Sequence, residues 1–168
     1  MDIEVRVEPE RSPLSAVEYR WDADTDILTA KLEAAATLGE GMSGSVEIEG
    51  SDGSWLILDV NAGRIAVVEV AVWPTVRKLA SLRPPAGAVP SRVTVPSRRS
   101  HPGIAALEVD TQLTAEADDA ERTIHFRIGD ARPMRAVGVA KDLVLDIDDR
   151  ERLAGVWLLN VPPFPEGS

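Results

Sequence analysis

Polar and apolar residues alternate with period two along much of the chain. Val17, Tyr19 and Trp21 alternate with Glu18 and Arg20, and Leu28, Ala30 and Leu32 alternate with Thr29 and Lys31. Val46 and Ile48 alternate with Glu47 and Glu49 in the same way. Such alternation predicts strands with one face in a core. Segments rich in Gly, Asn, Asp and Ser (LGEGMSGS, EGSDGS, NAG) punctuate these runs as turns. Residues 55–60 and 65–72 are apolar at nearly every position, which predicts central strands covered on both faces. One short helix is expected over Pro74–Leu82: Pro suits a first helical turn, Val76, Leu79 and Ala80 fall near one side, and Pro84 and Pro85 end it. Residues 83–104 hold Pro84, Pro85, Pro90, Pro96 and Pro102 and read as a linker, within which Ser91–Val95 has the pattern of an edge strand.

The chain also matches itself. Asp24 through Leu32 lies over Ala120 through Ile128, so that Leu28, Ala30 and Leu32 fall on Ile124, Phe126 and Ile128. Leu56 through Asn61 matches Leu143 through Asp148, Arg64 through Val68 matches Arg152 through Val156, and Trp73-Pro74 falls on Val161-Pro162. Matches kept in order with the same face polarity are the mark of a repeat. The predicted fold is therefore all-β and mainly antiparallel, with at most one or two short helices. Two pseudo-symmetric units, residues 1–82 and 105–168, would form a sandwich or partly closed barrel. A copy of roughly eighty residues is small for independent stability. The units are expected to share one core, packed through residues such as Ile57, Val67, Val144 and Val156.

The unit resembles the bacterial family called domain of unknown function 2283. Trp21-Asp22, Asp26 and Leu28 fit the first part of that family's pattern, and Leu58-Asp59, Gly63-Arg64-Ile65 and Glu69 fit the second. The second copy fits at Leu145 through Asp148 and Arg152 through Val156, with Glu151 in place of the turn Gly and Trp157 where the first copy has Glu69. The resemblance implies a compact antiparallel unit and brings no catalytic residues. Some relatives resemble partners of toxin-type proteins.

Charge and composition narrow the function. The chain has 168 residues, no cysteine and a net charge of −10. Residues 1–84 carry −7 and residues 85–168 carry −3. An acidic surface argues against nucleic acid and allows a basic protein partner. The absence of cysteine rules out disulfides and thiolate metal sites and suits a reducing cytoplasm. The start MDIEVRVEPE lacks a signal-peptide pattern, and no stretch has the length of a membrane helix. The expectation is a cytoplasmic protein away from the membrane.

Candidate chemistry is sparse. Asp22, Asp24 and Asp26, with Glu33 at the twelfth position, copy the skeleton of a calcium loop. Ile27 stands where that loop needs Gly, and the flanks are strands, so a turn with local Asp hydrogen bonds is expected. Asp59 and Asp146 occupy matching places and read as turn residues rather than an acid–base pair. His125, between Ile124 and Phe126, is expected on a solvated face. His101, with Arg98 and Arg99, forms a basic cluster in the linker. No nucleophile elbow, ligand-spaced His or phosphate loop is present. No enzyme, cofactor or metal is expected. The leading expectation is a non-enzymatic interaction module, a monomer that binds and restrains a basic protein. Trp157 is a partner-binding anchor if exposed, with Asp22, Asp24 and Asp26 as partner-binding acids. The alternative is a small-molecule binder using a cleft between the copies.

Overall fold

A computed structural model describes residues 3–33, 41, 43–96 and 104–165. The described residues form fourteen strands and no helix. The first half contributes β1 (Arg6–Pro9), β2 (Val17–Asp22), β3 (Ile27–Leu32), β4 (Ser43–Gly50), β5 (Trp55–Asn61), β6 (Arg64–Val72) and β7 (Val76–Lys78). Next come β8 (Val89–Thr94) and β9 (Ile104–Thr111). The rest are β10 (Leu113–Ala117), β11 (Ile124–Ile128), β12 (Met134–Ala140), β13 (Leu143–Asp148) and β14 (Leu153–Leu158). They join in one curled, half-barrel sheet. Most neighbours are antiparallel, but β7 with β10, β8 with β12 and β9 with β4 run parallel.

The two halves have the same strand order and register. In the first, β2, β3, β6, β5 and β4 lie side by side, and in the second β10, β11, β14, β13 and β12 do. Ala30 pairs with Val68 and Leu58 with Val68, while Phe126 pairs with Val156 and Leu145 with Val156. Each half gives one alternating set to a single core: Leu28, Ala30, Leu56, Leu58, Val68 and Val70 from the first, Ile124, Phe126, Leu143, Leu145, Val156 and Leu158 from the second. Ala62 (φ 49°) and Gly63 (φ 83°) make the tight β5–β6 turn, in which both central residues need left-handed backbone.

The halves exchange arms. β7 follows β6 but pairs with β10, and Leu79 N–H extends that contact to the Ala117 carbonyl at 2.8 Å. β9 leads into β10 but pairs with β4 along its full length. Val95 N–H bonds the Gly63 carbonyl at 2.7 Å, and Val5 N–H bonds the matching Glu151 carbonyl at 3.0 Å. After β14 the chain returns to β2, where the Tyr19 hydroxyl donates to Leu159 O (2.8 Å) and Trp21 Nε1–H to Pro162 O (2.9 Å).

Several expectations are corrected. The segment Pro74–Leu82 forms no helix, because a one- or two-turn helix is marginal while pairing with the edge of β10 satisfies the backbone of Val76–Lys78. Within the segment read as linker, the strand expected over Ser91–Val95 is present as β8, but it is no edge strand: it pairs with β1, β12 and β6 and buries Val93 and the adjoining Val95. Ile57, Val67 and Val144 do not face the shared core. Their cross-strand partners Glu69, Asp59 and Trp157 place them on the outer faces, whereas Val156 is fully buried inside. The basic cluster Arg98, Arg99 and His101 lies outside the described residues.

Candidate functional site

The outer faces of the two halves differ, and the difference comes from a few residues at matching places. In the second half, His125 on β11 lies opposite Trp157 on β14, and Asp146 on β13 lies opposite Gly155. His125 Nε2 is 2.7 Å from Asp146 Oδ2, Trp157 Nε1–H donates to Asp146 Oδ1 at 3.2 Å, and the two rings stack with centroids 3.9 Å apart. His125 is 7%, Asp146 4% and Trp157 8% exposed. The cluster satisfies its own polar groups, as buried polar groups must, and seals that face.

This arrangement corrects two readings. His125 is buried, not solvated: its outward direction is as expected, but the Trp157 ring lies flat over it. Asp146 is no turn residue. It sits within β13, and Asp148 caps the turn instead, with Oδ1 accepting the N–H groups of Arg150 and Arg152 at 2.9 Å each. Asp148 is fully buried, and its Oδ2 takes Arg132 Nε–H and Arg152 Nε–H, also at 2.9 Å. Burial pushes its pKa up, but the hydrogen bonds from Arg132, Arg152 and Arg150 outweigh this and hold it at about 2. Trp157, the candidate anchor, is not open to a partner.

In the first half the matching places hold Thr29, Asp59, Val67 and Glu69, and the outer face stays open. Across it, Glu108 on β9 lies beside Glu47 on β4, which lies beside Ile57 on β5, which lies beside Glu69 on β6. The next row runs Asp110, Glu49, Trp55 and Val72. Trp55 is 38% and Val72 47% exposed, among the few large apolar side chains left outside. None of Glu47, Glu49, Glu69, Glu108 and Asp110 has an ion-pair partner among the described residues. Like charges side by side on a sheet repel one another. The sequence displayed the alternation Glu47-Ile48-Glu49, but β9 is supplied from the other half, so its acids could not be placed beside them.

Asp22, Asp24 and Asp26 lie at the exposed end of the β2–β3 hairpin on the same half. Asp22 Oδ1 accepts the Asp24 N–H at 3.0 Å, and Asp26 has left-handed backbone (φ 60°), the geometry of an Asp-stabilised turn. Trp21 behind it stacks on Trp73 (centroids 5.7 Å) and meets Phe164 edge-on (5.1 Å). Among the described residues, no group of three His, Asp or Glu side chains is placed to hold a metal ion.

Between the N-terminal arm and the second half lies a polar cavity of about 220 Å³, bounded by Ile3, Val109, Ile128, Arg132, Arg152 and Leu153. Between the halves lies a groove of about 420 Å³, bounded by Val7, Glu8, Val89, Ser91, Arg135 and Val137. No helix of the described residues is long and apolar enough to cross a membrane. No known family model matches the chain, and a search of curated proteins finds no match.

Proposed function

We propose that this chain is a non-enzymatic interaction module that binds and restrains a basic protein partner through the open outer face of its first half. The observation that carries this reading is the block of Glu47, Glu49, Glu108 and Asp110, without cationic partners among the described residues, beside the exposed Trp55. Interfaces with this make-up place an aromatic anchor within a charged rim. The acid turn of Asp22, Asp24 and Asp26 adds to the same field and steers a basic partner toward it. The reading includes a tandem duplication, supported by the common strand order and register, and a likeness to the domain of unknown function 2283. In it the second copy has closed its outer face with His125, Asp146 and Trp157, leaving the first copy to bind. It also makes the protein a cytoplasmic monomer with an internal pseudo-twofold.

The alternative, a small molecule held between the copies, has less support. The groove between the copies, bounded by Val7, Glu8, Val89, Ser91, Arg135 and Val137, has about 420 Å³, within the roughly 300–1,000 Å³ of ordinary ligand pockets, but its charged side chains, Glu8 and Arg135, are exposed to solvent.

The test is affinity recovery with the intact chain as bait at low and high salt, beside a Glu47→Lys/Glu49→Lys variant. A basic protein retained by the wild type, released by salt and lost from the variant supports the proposal. Equal retention on both baits, or a partner with no basic surface, contradicts it.

A further inference from the structure

We infer that the outer edge of β9 is a strand-addition site for an extended segment of the partner bearing Lys or Arg at every second residue. This rests on the basic-partner reading above and specifies how that partner docks. β9 ends the sheet on its side: its eight residues pair with β4 in unbroken register, and no other described strand pairs with it. Sheet edges are ordinarily blunted by Pro, charged side chains (Lys above all), a bulge or a short strand. The charges of β9, Glu108 and Asp110, would repel an acidic strand but not a basic one. β9 contains neither Pro nor Lys, has no bulge against β4, and is among the longer strands of the fold. Half of its N–H and C=O groups point away from β4, as in any edge strand.

The side chains say which strand would fit. Leu107 and Val109 turn inward and are buried, while Ala106, Glu108 and Asp110 turn outward and are exposed. On an added strand, outward residues would stand about 5 Å from those of β9, Cβ to Cβ. Cations there would meet Glu108 and Asp110 directly, with Glu47 and Glu49 one strand further in. They would relieve a like-charge block that has no counter-charge among the described residues. A second copy of this chain is the wrong occupant. Two β9 strands paired antiparallel about Val109 would set Glu108 of each copy against Asp110 of the other, and opposed like charges disfavour pairing. Main-chain bonds would thus supply affinity and the alternating charges specificity.

The experiment uses the intact protein and synthetic peptides as long as β9. One alternates Lys and Val, and one has the same composition in two blocks. Two further alternating peptides are N-methylated, either on every Lys or on every Val. Calorimetry should find the alternating peptide about tenfold or more tighter than the block peptide. One methylated form should lose about tenfold or more, and the other should stay within about twofold, because only one set of amides faces β9. Glu108→Gln with Asp110→Asn should weaken the alternating peptide and leave the fold intact by circular dichroism. Equal binding by the alternating, block and both methylated peptides overturns strand addition but leaves a basic partner standing. No binding by any Lys peptide overturns both. Sedimentation showing a dimer that Glu108→Lys dissociates overturns the choice of occupant.

Discussion

Asp146 and Gly155 face each other across β13 and β14, and the Asp146 carboxylate occupies the space where a side chain at 155 would begin. A Cβ there would also come within 2.8 Å of the Phe126 carbonyl oxygen, which belongs to the backbone. At the matching place in the first half, Val67 lies opposite Asp59, and Asp59 is exposed. The missing side chain lets Asp146 lie down between His125 and Trp157. Gly155→Val should therefore expel the carboxylate and unpair a buried His and a buried indole N–H. The expected loss is about 2 kcal/mol or more by urea denaturation. A loss under about 0.5 kcal/mol would show that Asp146 does not depend on Gly155.

Asp148 should shape the acid limb of stability. Its folded pKa of about 2 lies below its ordinary 3.8. Its contribution is then fully present above pH 4 and is lost as pH falls through 4 toward 2, amounting to roughly 2 kcal/mol. Asp148→Asn should flatten that limb. It should also cost about 3 kcal/mol at neutral pH, since Arg132 and Arg152 lose a buried carboxylate. Denaturation midpoints measured from pH 7 to pH 2 check both statements. Parallel curves for variant and wild type would contradict them.

Trp157 and Trp55, two of the four tryptophans, should separate stability from binding. Trp157→Ala removes a buried ring and the Asp146 hydrogen bond, and should cost about 3–5 kcal/mol. Trp55→Ala removes a ring that is 38% exposed, and should cost under about 1 kcal/mol while speeding dissociation of the partner. Thermal melts and surface-bound kinetics of both variants check this. The reverse pattern would place the anchor in the second half.

The exchanged arms should make the halves interdependent. Residues 1–99 made alone lack β9, which covers the edge of β4, and residues 100–168 lack β7, β8 and the N-terminal arm on Glu151. Neither fragment should melt cooperatively alone, and mixing them should restore a single transition. A fragment that folds by itself would contradict a shared core.

How far the sequence could be read depended on alternation. Leu28, Ala30, Ile124, Phe126 and Ile128 stood in alternating runs, and they face the core. Ile57, Val67 and Val144 stood in apolar runs, where period two has no phase, and the wrong face was expected for them. The identity of Gly155 within an apolar strand, opposite Val67 in the self-match, was the available signal for a close approach. Its occupant, Asp146, was set by tertiary packing and could not be read. β7 and β9 escaped for another reason: their partners lie in the other half, and local pattern carries no record of which edge a segment will cover. The acid block was half visible in Glu47 and Glu49, and needed β9 to be complete.

The most direct test of the account is the association rate of the recovered basic partner at two salt concentrations. It is to be measured with wild type and with Glu47→Gln/Glu49→Gln/Glu108→Gln/Asp110→Asn. The open face predicts a wild-type rate that falls as salt rises, and a variant rate that is slower at low salt and much less sensitive to salt. An unchanged rate and salt response in the variant would contradict the account.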